Sequence, residues 1–180
     1  SLSLPSARAV TDVLQAFGWN GSRAKPISVR DTDPNVLQPG ILSNGTLAMS
    51  LSRASVDSEL SQLAIEAPSP DSLVHTLFMR FLCRPPTPQE RQAFASELSV
   101  GFEKRLVPKD QVQYPDPLPP LPQVTWFNHL RGETNTIQQE LERRVSLGPP
   151  SDPRINPDWR CVYEDLVWSL INHREFVWVP

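Results

Sequence analysis

Proline dictates where helices can run in this chain. It occupies 20 of the 180 positions, and inside a helix it removes one hydrogen bond and collides with the preceding turn. Each helix must therefore fit between prolines or start on one. Six of them fall within the 18 residues 106–123, LVPKDQVQYPDPLPPLPQ, a composition that favours extended polyproline II and excludes helix. With only 7 glycines in the whole chain, this segment reads as a rigid strap rather than a flexible linker. Its run Pro117–Pro122 satisfies the P-x-x-P pattern of ligands for aromatic-lined grooves, but the pattern is common in spacers and is read here as one.

Between the prolines the apolar residues follow a helical period. Val10, Val13, Leu14 and Phe17 share one face of a helix over 7–17, which Gly18 can terminate. Residues 19–33 show no period and are expected to be irregular. A short helix pair is expected over 34–53, interrupted at Pro39-Gly40, with Leu47 and Leu51 at i, i+4. Val56, Leu60, Leu63, Ala64 and Ala67 predict a further helix that Pro68 closes.

The strongest local signals come next. Ser69 and Pro70 fit an N-cap and a first helical position, followed by the rows Leu73, Leu77, Phe81 and Val74, Phe78, Leu82. Thr87-Pro88-Gln89-Glu90 is a capping box opening a helix that buries Phe94, Leu98 and Phe102. The junction between these two is short, which implies an antiparallel pair. Beyond the strap, Ile137, Leu141 and Val145 share a face up to Gly148. Finally Asn156 and Pro157 open a helix with the broad stripe Trp159, Tyr163, Leu166, Val167, Leu170 and Ile171. No segment alternates at period two, although Phe176–Val179 can extend along the bundle or pair outside it. The expected fold is all-α: one irregular multi-helix bundle over 1–180, with the proline-rich strap 106–123 inside it.

The chemistry is mostly a record of exclusions. A formal charge of -3 provides no positive field for phosphates, so nucleic acid is not expected as a partner. No stretch is long and apolar enough to insert in a membrane. The nucleophile elbow, phosphate loop, dinucleotide fingerprint, H-E-x-x-H zinc pattern and C-x-x-C-H haem signature do not occur. No cofactor, metal or catalytic residue is therefore assigned. Cys83 and Cys161 read as two buried thiols of core helices rather than a disulfide. His75 reads as partly buried and hydrogen-bonded, and His173 as a cap on free helical carbonyls. The carboxylate pairs Glu164/Asp165 and Glu140/Glu142 point apart on their helices, as solvated faces do.

Two sets of residues stand as candidates. Asn128, His129 and Glu133 form a polar cluster, with His129 and Glu133 at i, i+4 if the segment is helical. Trp168 and Trp178 are candidate partner contacts, since tryptophan is enriched at interface hot spots. For Trp168 the competing reading is that it fills a groove between helices.

Four ordered blocks carry a family resemblance. The run Tyr163–Phe176 (YEDLVWSLINHREF) is similar to a W-a-L-x-N-s-x-E-F ending, and Val13–Gly18 to an opening L-Q-x-F/L-G. Leu37–Leu47 (LQPGILSNGTL) resembles L-Q-x-L-x-x-x-N-G-x-x-L, and Leu77–Glu90 (LFMRFLCRPPTPQE) resembles L-Y-L-x-x-L-x-R-x-P-T-x-E-E. Together they resemble a C-terminal domain of unknown function found in large planctomycete proteins that often carry a cytochrome c-like segment. The chain departs from that pattern at Trp19–Ser22, which replaces a Cys- and Arg-rich stretch, and in the extra segment Val124–Leu130. The resemblance implies a module of an exported bacterial protein, with any haem or carbohydrate role in other segments. The opening SLSLPSARAV carries no signal peptide, in keeping with a fragment of a longer chain. The functional expectation is a non-enzymatic helical module that docks onto upstream domains of its own polypeptide or onto another protein of the cell envelope. The competing expectation is an accessory domain that completes an active site in an oxidoreductase or polysaccharide-degrading assembly through Asn128, His129 and Glu133.

Overall fold

The computed structural model describes residues 5–19 and 36–177. Most of the stretch expected to be irregular, and Trp178, lie outside them. The fold is all-α: the described residues form α1 (Pro5–Ala16), α2 (Leu37–Asn44), α3 (Thr46–Ser52), α4 (Glu59–Glu66), α5 (Pro70–Leu82), α6 (Pro88–Ser99), α7 (Gly132–Leu147), α8 (Pro157–Ile171) and α9 (Arg174–Val177). A 3₁₀ turn, Phe102–Lys104, follows α6.

The core is the α5–α6 hairpin closed by α8. Capping fixes where each of these helices starts. Ser69 accepts from the Ser72 N–H ahead of Pro70, Thr87 and Glu90 form the reciprocal box ahead of Pro88, and Asn156 accepts from Asp158 and Trp159 ahead of Pro157. Leu73, Val74, Leu77 and Phe78 of α5 then meet Leu98 of α6 and Tyr163, Val167 and Leu170 of α8, all fully buried. The rings pack edge-on where Phe78 meets Phe94 (5.1 Å) and face-on where Trp159 meets Tyr163 (5.4 Å). Trp159 and Tyr163 also find partners for their polar atoms. Trp159 Nε1 donates to the Leu98 carbonyl (2.9 Å) and the Tyr163 hydroxyl to that of Leu60 (3.0 Å).

Before this core, α1, α2 and α3 stack on one another. Gly18, at φ 83°, adopts the left-handed conformation after α1. Its N–H donates to Gln15 and that of Trp19 to Leu14, the pattern that satisfies carbonyls at a helix end. The Gln38 side chain then ties α2 back to the Ala16 carbonyl (3.1 Å).

After α7 the chain is clasped between two loops. Pro150 accepts from Val56 and Asp152 donates to Ala54, while Arg154 accepts from Val107 and Asn156 donates to Arg105. These bonds form the antiparallel bridges Ser55–Ser151 and Leu106–Ile155. The clasp buries Asp152, whose carboxylate accepts from Arg154 Nη2 at 2.6 Å and Nε at 3.0 Å. Burial alone raises the Asp152 pKa, but the Arg154 hydrogen bonds outweigh it and hold the carboxyl below the usual carboxylate range.

Several expectations need correction. The α2–α3 break falls at Gly45, where a Cβ would strike the Ile41 carbonyl, and not at Pro39-Gly40. Pro39 lies in the first turn of α2, where its missing N–H would have had no partner. Helix α4 starts only after the Ser58 cap, because Asp57 takes a positive φ of 58°. Cys83 and Cys161 are exposed and unpaired rather than buried. Cys83 is the left-handed cap of α5 and Cys161 lies on the outer side of α8. His75 is exposed, because the neighbours that bury α5 cover only the Leu73/Leu77 and Val74/Phe78 rows. His173 works at the start of a helix, where its Nδ1 accepts from the Glu175 N–H (3.2 Å). Phe176 and Val177 belong to the helical turn α9, so neither is extended.

Candidate functional site

Among the described residues one surface feature stands out, an apolar groove of 780 Å³, within the range of ligand pockets. Val13 of α1 and Phe17 just after it form one wall. Leu47 and Leu51 of α3 and Leu60 and Leu63 of α4 form others, and Phe81, Ile171 and Phe176 close the remaining side. The sequence explains why they gather here. Leu47/Leu51 and Leu60/Leu63 are stripes on short helices, and the core already covered by α5 and α8 leaves part of each stripe facing outward.

Most polar groups of the rim are already engaged. Arg53 Nη1 donates to the carbonyls of Leu147 and Pro149 at the end of α7, and Arg80 pairs with Glu59. Ser58 caps α4, and the backbone carbonyl of Ser55 receives the Ser61 hydroxyl. Neither histidine nor cysteine lines the groove. Such a surface recognises apolar shape. It offers no nucleophile with a neighbouring base.

The polar candidates are placed elsewhere. Asn128 and His129 come together in a turn ahead of α7 instead of on a helix, so the i, i+4 face with Glu133 does not form. The Asn128 Oδ1 accepts from the Thr125 N–H (2.6 Å) and its Nδ2 donates to the Gln123 carbonyl (3.0 Å). His129 Nδ1 donates to the Trp126 carbonyl, and its ring stacks on Trp126 with centroids 4.7 Å apart. Glu133 is exposed in the first turn of α7. The first two spend their polar atoms on building the turn, and none of the three lines the groove. Among the described residues no three His, Cys, Asp or Glu side chains are placed to hold a metal ion. None of the described helices is long and apolar enough to cross a membrane. Of the carboxylate pairs, Glu164 accepts from the Ala54 N–H (2.9 Å), and Arg143 and Arg144 push the Glu140 carboxyl down to about 2.

Trp168 is 41% exposed, yet its Nε1 donates to the Ser43 carbonyl at 3.0 Å. It combines both readings, with one edge bonded to α2 and one face in solvent. Asn172 works beside it, donating to the carbonyls of Leu42 (3.4 Å) and Trp168 (2.9 Å) and accepting from the Ser43 hydroxyl (2.9 Å). Nearby, Arg84 bonds Glu90 at 2.8 Å and Glu175 at 2.5 Å, and Phe81 lies 6.2 Å from Phe176. Trp168, Asn172, Glu175 and Phe176 thus hold the blocks that contain Ser43 and Arg84. These contacts tie the stretch 163–176 to the stretches 37–47 and 77–90, which is a structural role. No protein-family model, curated protein or solved structure matches the chain.

Proposed function

We propose that this chain is a non-catalytic helical docking module whose groove receives an apolar segment, from the preceding part of its own polypeptide or from a partner protein of the cell envelope. The supporting observation is the open apolar groove, whose rim charges Arg53, Arg80 and Glu59 are already paired within the chain. Burying such a surface is favourable in proportion to the apolar area covered, and it leaves no charge unpaired. The export of the parent protein follows from the planctomycete resemblance.

The test is thermal unfolding of the chain alone and with the preceding part of its polypeptide added in trans. A partner at about 100 times its dissociation constant adds about 2.7 kcal/mol, which raises the midpoint of a chain of this size by roughly 5–10 °C. Leu51→Asp, at an exposed groove position, abolishes that rise while the variant's own midpoint stays near that of the parent chain. A rise that survives Leu51→Asp, or no rise at all, overturns the proposal for the preceding segment.

A further inference from the structure

The turn before α7 gathers three large apolar side chains that are almost fully exposed: Phe127 at 93%, Leu130 at 88% and Trp126 at 81%. The turn is nevertheless firmly built. Besides the Asn128 and His129 bonds, the Thr134 hydroxyl donates to the Asn128 carbonyl (2.5 Å) and the Arg131 N–H donates to the same oxygen (3.0 Å). With these bonds fixing its shape, the turn holds three apolar side chains out to solvent. Ordered exposed patches of this kind mark interaction surfaces, and tryptophan at their centre carries much of the binding energy.

The chemistry of the surroundings selects the partner. A loop that anchors to a bilayer through a few side chains needs basic neighbours for stable attachment. Here the turn's one basic residue, Arg131, is followed two positions later by Glu133, and the whole chain has a formal charge of -3. A projecting apolar knob instead fits an apolar concavity, and this same chain carries one of 780 Å³ that its own exposed knob does not fill. We infer that the Trp126–Leu130 knob of one copy seats in the groove of a second copy. This identification rests on the groove being a docking site, as proposed above. Exchanged reciprocally, the two contacts close a twofold dimer, whereas passed head to tail they propagate.

Sedimentation of the full chain tests this with two variants. The parent chain is expected to sediment at about twice its 20.2 kDa mass or more. Trp126→Ser combined with Phe127→Ser gives monomers, as does Leu51→Asp; because all three residues are exposed, both variants unfold at the midpoint of the parent chain diluted to its monomer and lack only the concentration-dependent rise that association adds. Mixing the knob variant with the groove variant restores a one-to-one complex through one intact knob and one intact groove. A parent chain that stays monomeric up to its solubility limit overturns the inference, as does an oligomer that survives either variant. Trp126-dependent binding of the monomer to phosphatidylcholine or phosphatidylserine vesicles also overturns it, in favour of a bilayer. If the parent chain is monomeric while the preceding polypeptide still gives a Leu51-dependent thermal shift, only the second copy is excluded. If both responses are missing, the docking reading falls as well.

Discussion

The guanidinium of Arg105 lies over the Phe102 ring, 3.9 Å from its centroid, while its N–H groups reach the end of a different helix. Nε donates to the Ala64 carbonyl (2.8 Å), and Nη2 to those of Ala67 (2.8 Å) and Ile65 (3.2 Å). One cation thus satisfies the free carbonyls of α4 from beyond α6. Arg105→Lys keeps the charge but loses the planar fork and its stacking. We expect it to cost about 2–3 kcal/mol, read as a lower urea midpoint with unchanged slope.

A second prediction concerns acid. Arg84 holds the Glu90 carboxyl at about 2 through paired hydrogen bonds, against a smaller opposing effect of burial. Because the folded value lies below the unfolded one, this stabilisation is present above about pH 4.5 and fades as the pH falls towards 2. The Glu90 side chain is 25% exposed, so the pair contributes about 1 kcal/mol or less. Glu90→Gln retains an acceptor for the Thr87 N–H and with it the helix cap. Its urea midpoint should therefore fall less between pH 7 and pH 3 than that of the parent chain.

Two aromatic truncations on α8 should differ in cost. Leu98 lies in the last turn of α6, where its carbonyl has no successor in the helix to serve it. Trp159→Phe leaves that buried oxygen without its donor and should cost about 2–3 kcal/mol. Leu60 is in the first turn of α4, where its carbonyl also serves the helix ladder, so Tyr163→Phe should cost only about 1 kcal/mol. Burial raises the Tyr163 pKa well above the ordinary tyrosine value. Its contribution is whole below about pH 10 and is lost as pH rises further, so Tyr163→Phe should flatten the alkaline limb of a stability profile.

Glycine positions supply a paired test of opposite sign. Gly148 ends α7 at φ 68°, and a Cβ there would lie 3.1 Å from Ser50 Oγ and 3.2 Å from Arg53 Nη1. Gly148→Ala should cost about 1–3 kcal/mol through the backbone alone, because φ 68° with ψ -173° is a region essentially only glycine adopts. Gly40, inside α2, has nothing within 4 Å of a Cβ. Gly40→Ala should raise stability by about 0.5–1 kcal/mol. Thermal midpoints of the two variants compare the effects directly.

What the sequence reveals and what it hides divide along range. The starts of α5, α6 and α8 are legible because each is written within four residues: Ser69-Pro70, Thr87 to Glu90, and Asn156-Pro157. Periodicity then identifies Tyr163 and Val167 as core without reference to anything distant. The Arg105 fork has no such local mark, since its acceptors lie about forty residues away and its side chain fits equally well on a solvated face. Apolar stripes reveal which residues avoid water but not whether a neighbour covers them. Leu51 and Leu60 therefore looked like ordinary core positions, and the groove was invisible. Asn128 and His129 drew notice for their chemistry, whereas the signal lay in Trp126 and Phe127 beside them, too apolar for an exposed turn.

The bridge between Leu106 and Ile155, with the Pro150 and Asp152 bonds beside it, makes the strap and the turn before α7 a detour: the chain departs from the helical core and rejoins it at a neighbouring point. Because the ends of that detour are held together by the core's own backbone bonds, its length is only weakly coupled to core stability. The strap and its apolar turn can grow, shrink or change their tip while Tyr163 and Phe78 stay where they are. The chain has one part that is fixed by packing and another that is free to vary in what it touches.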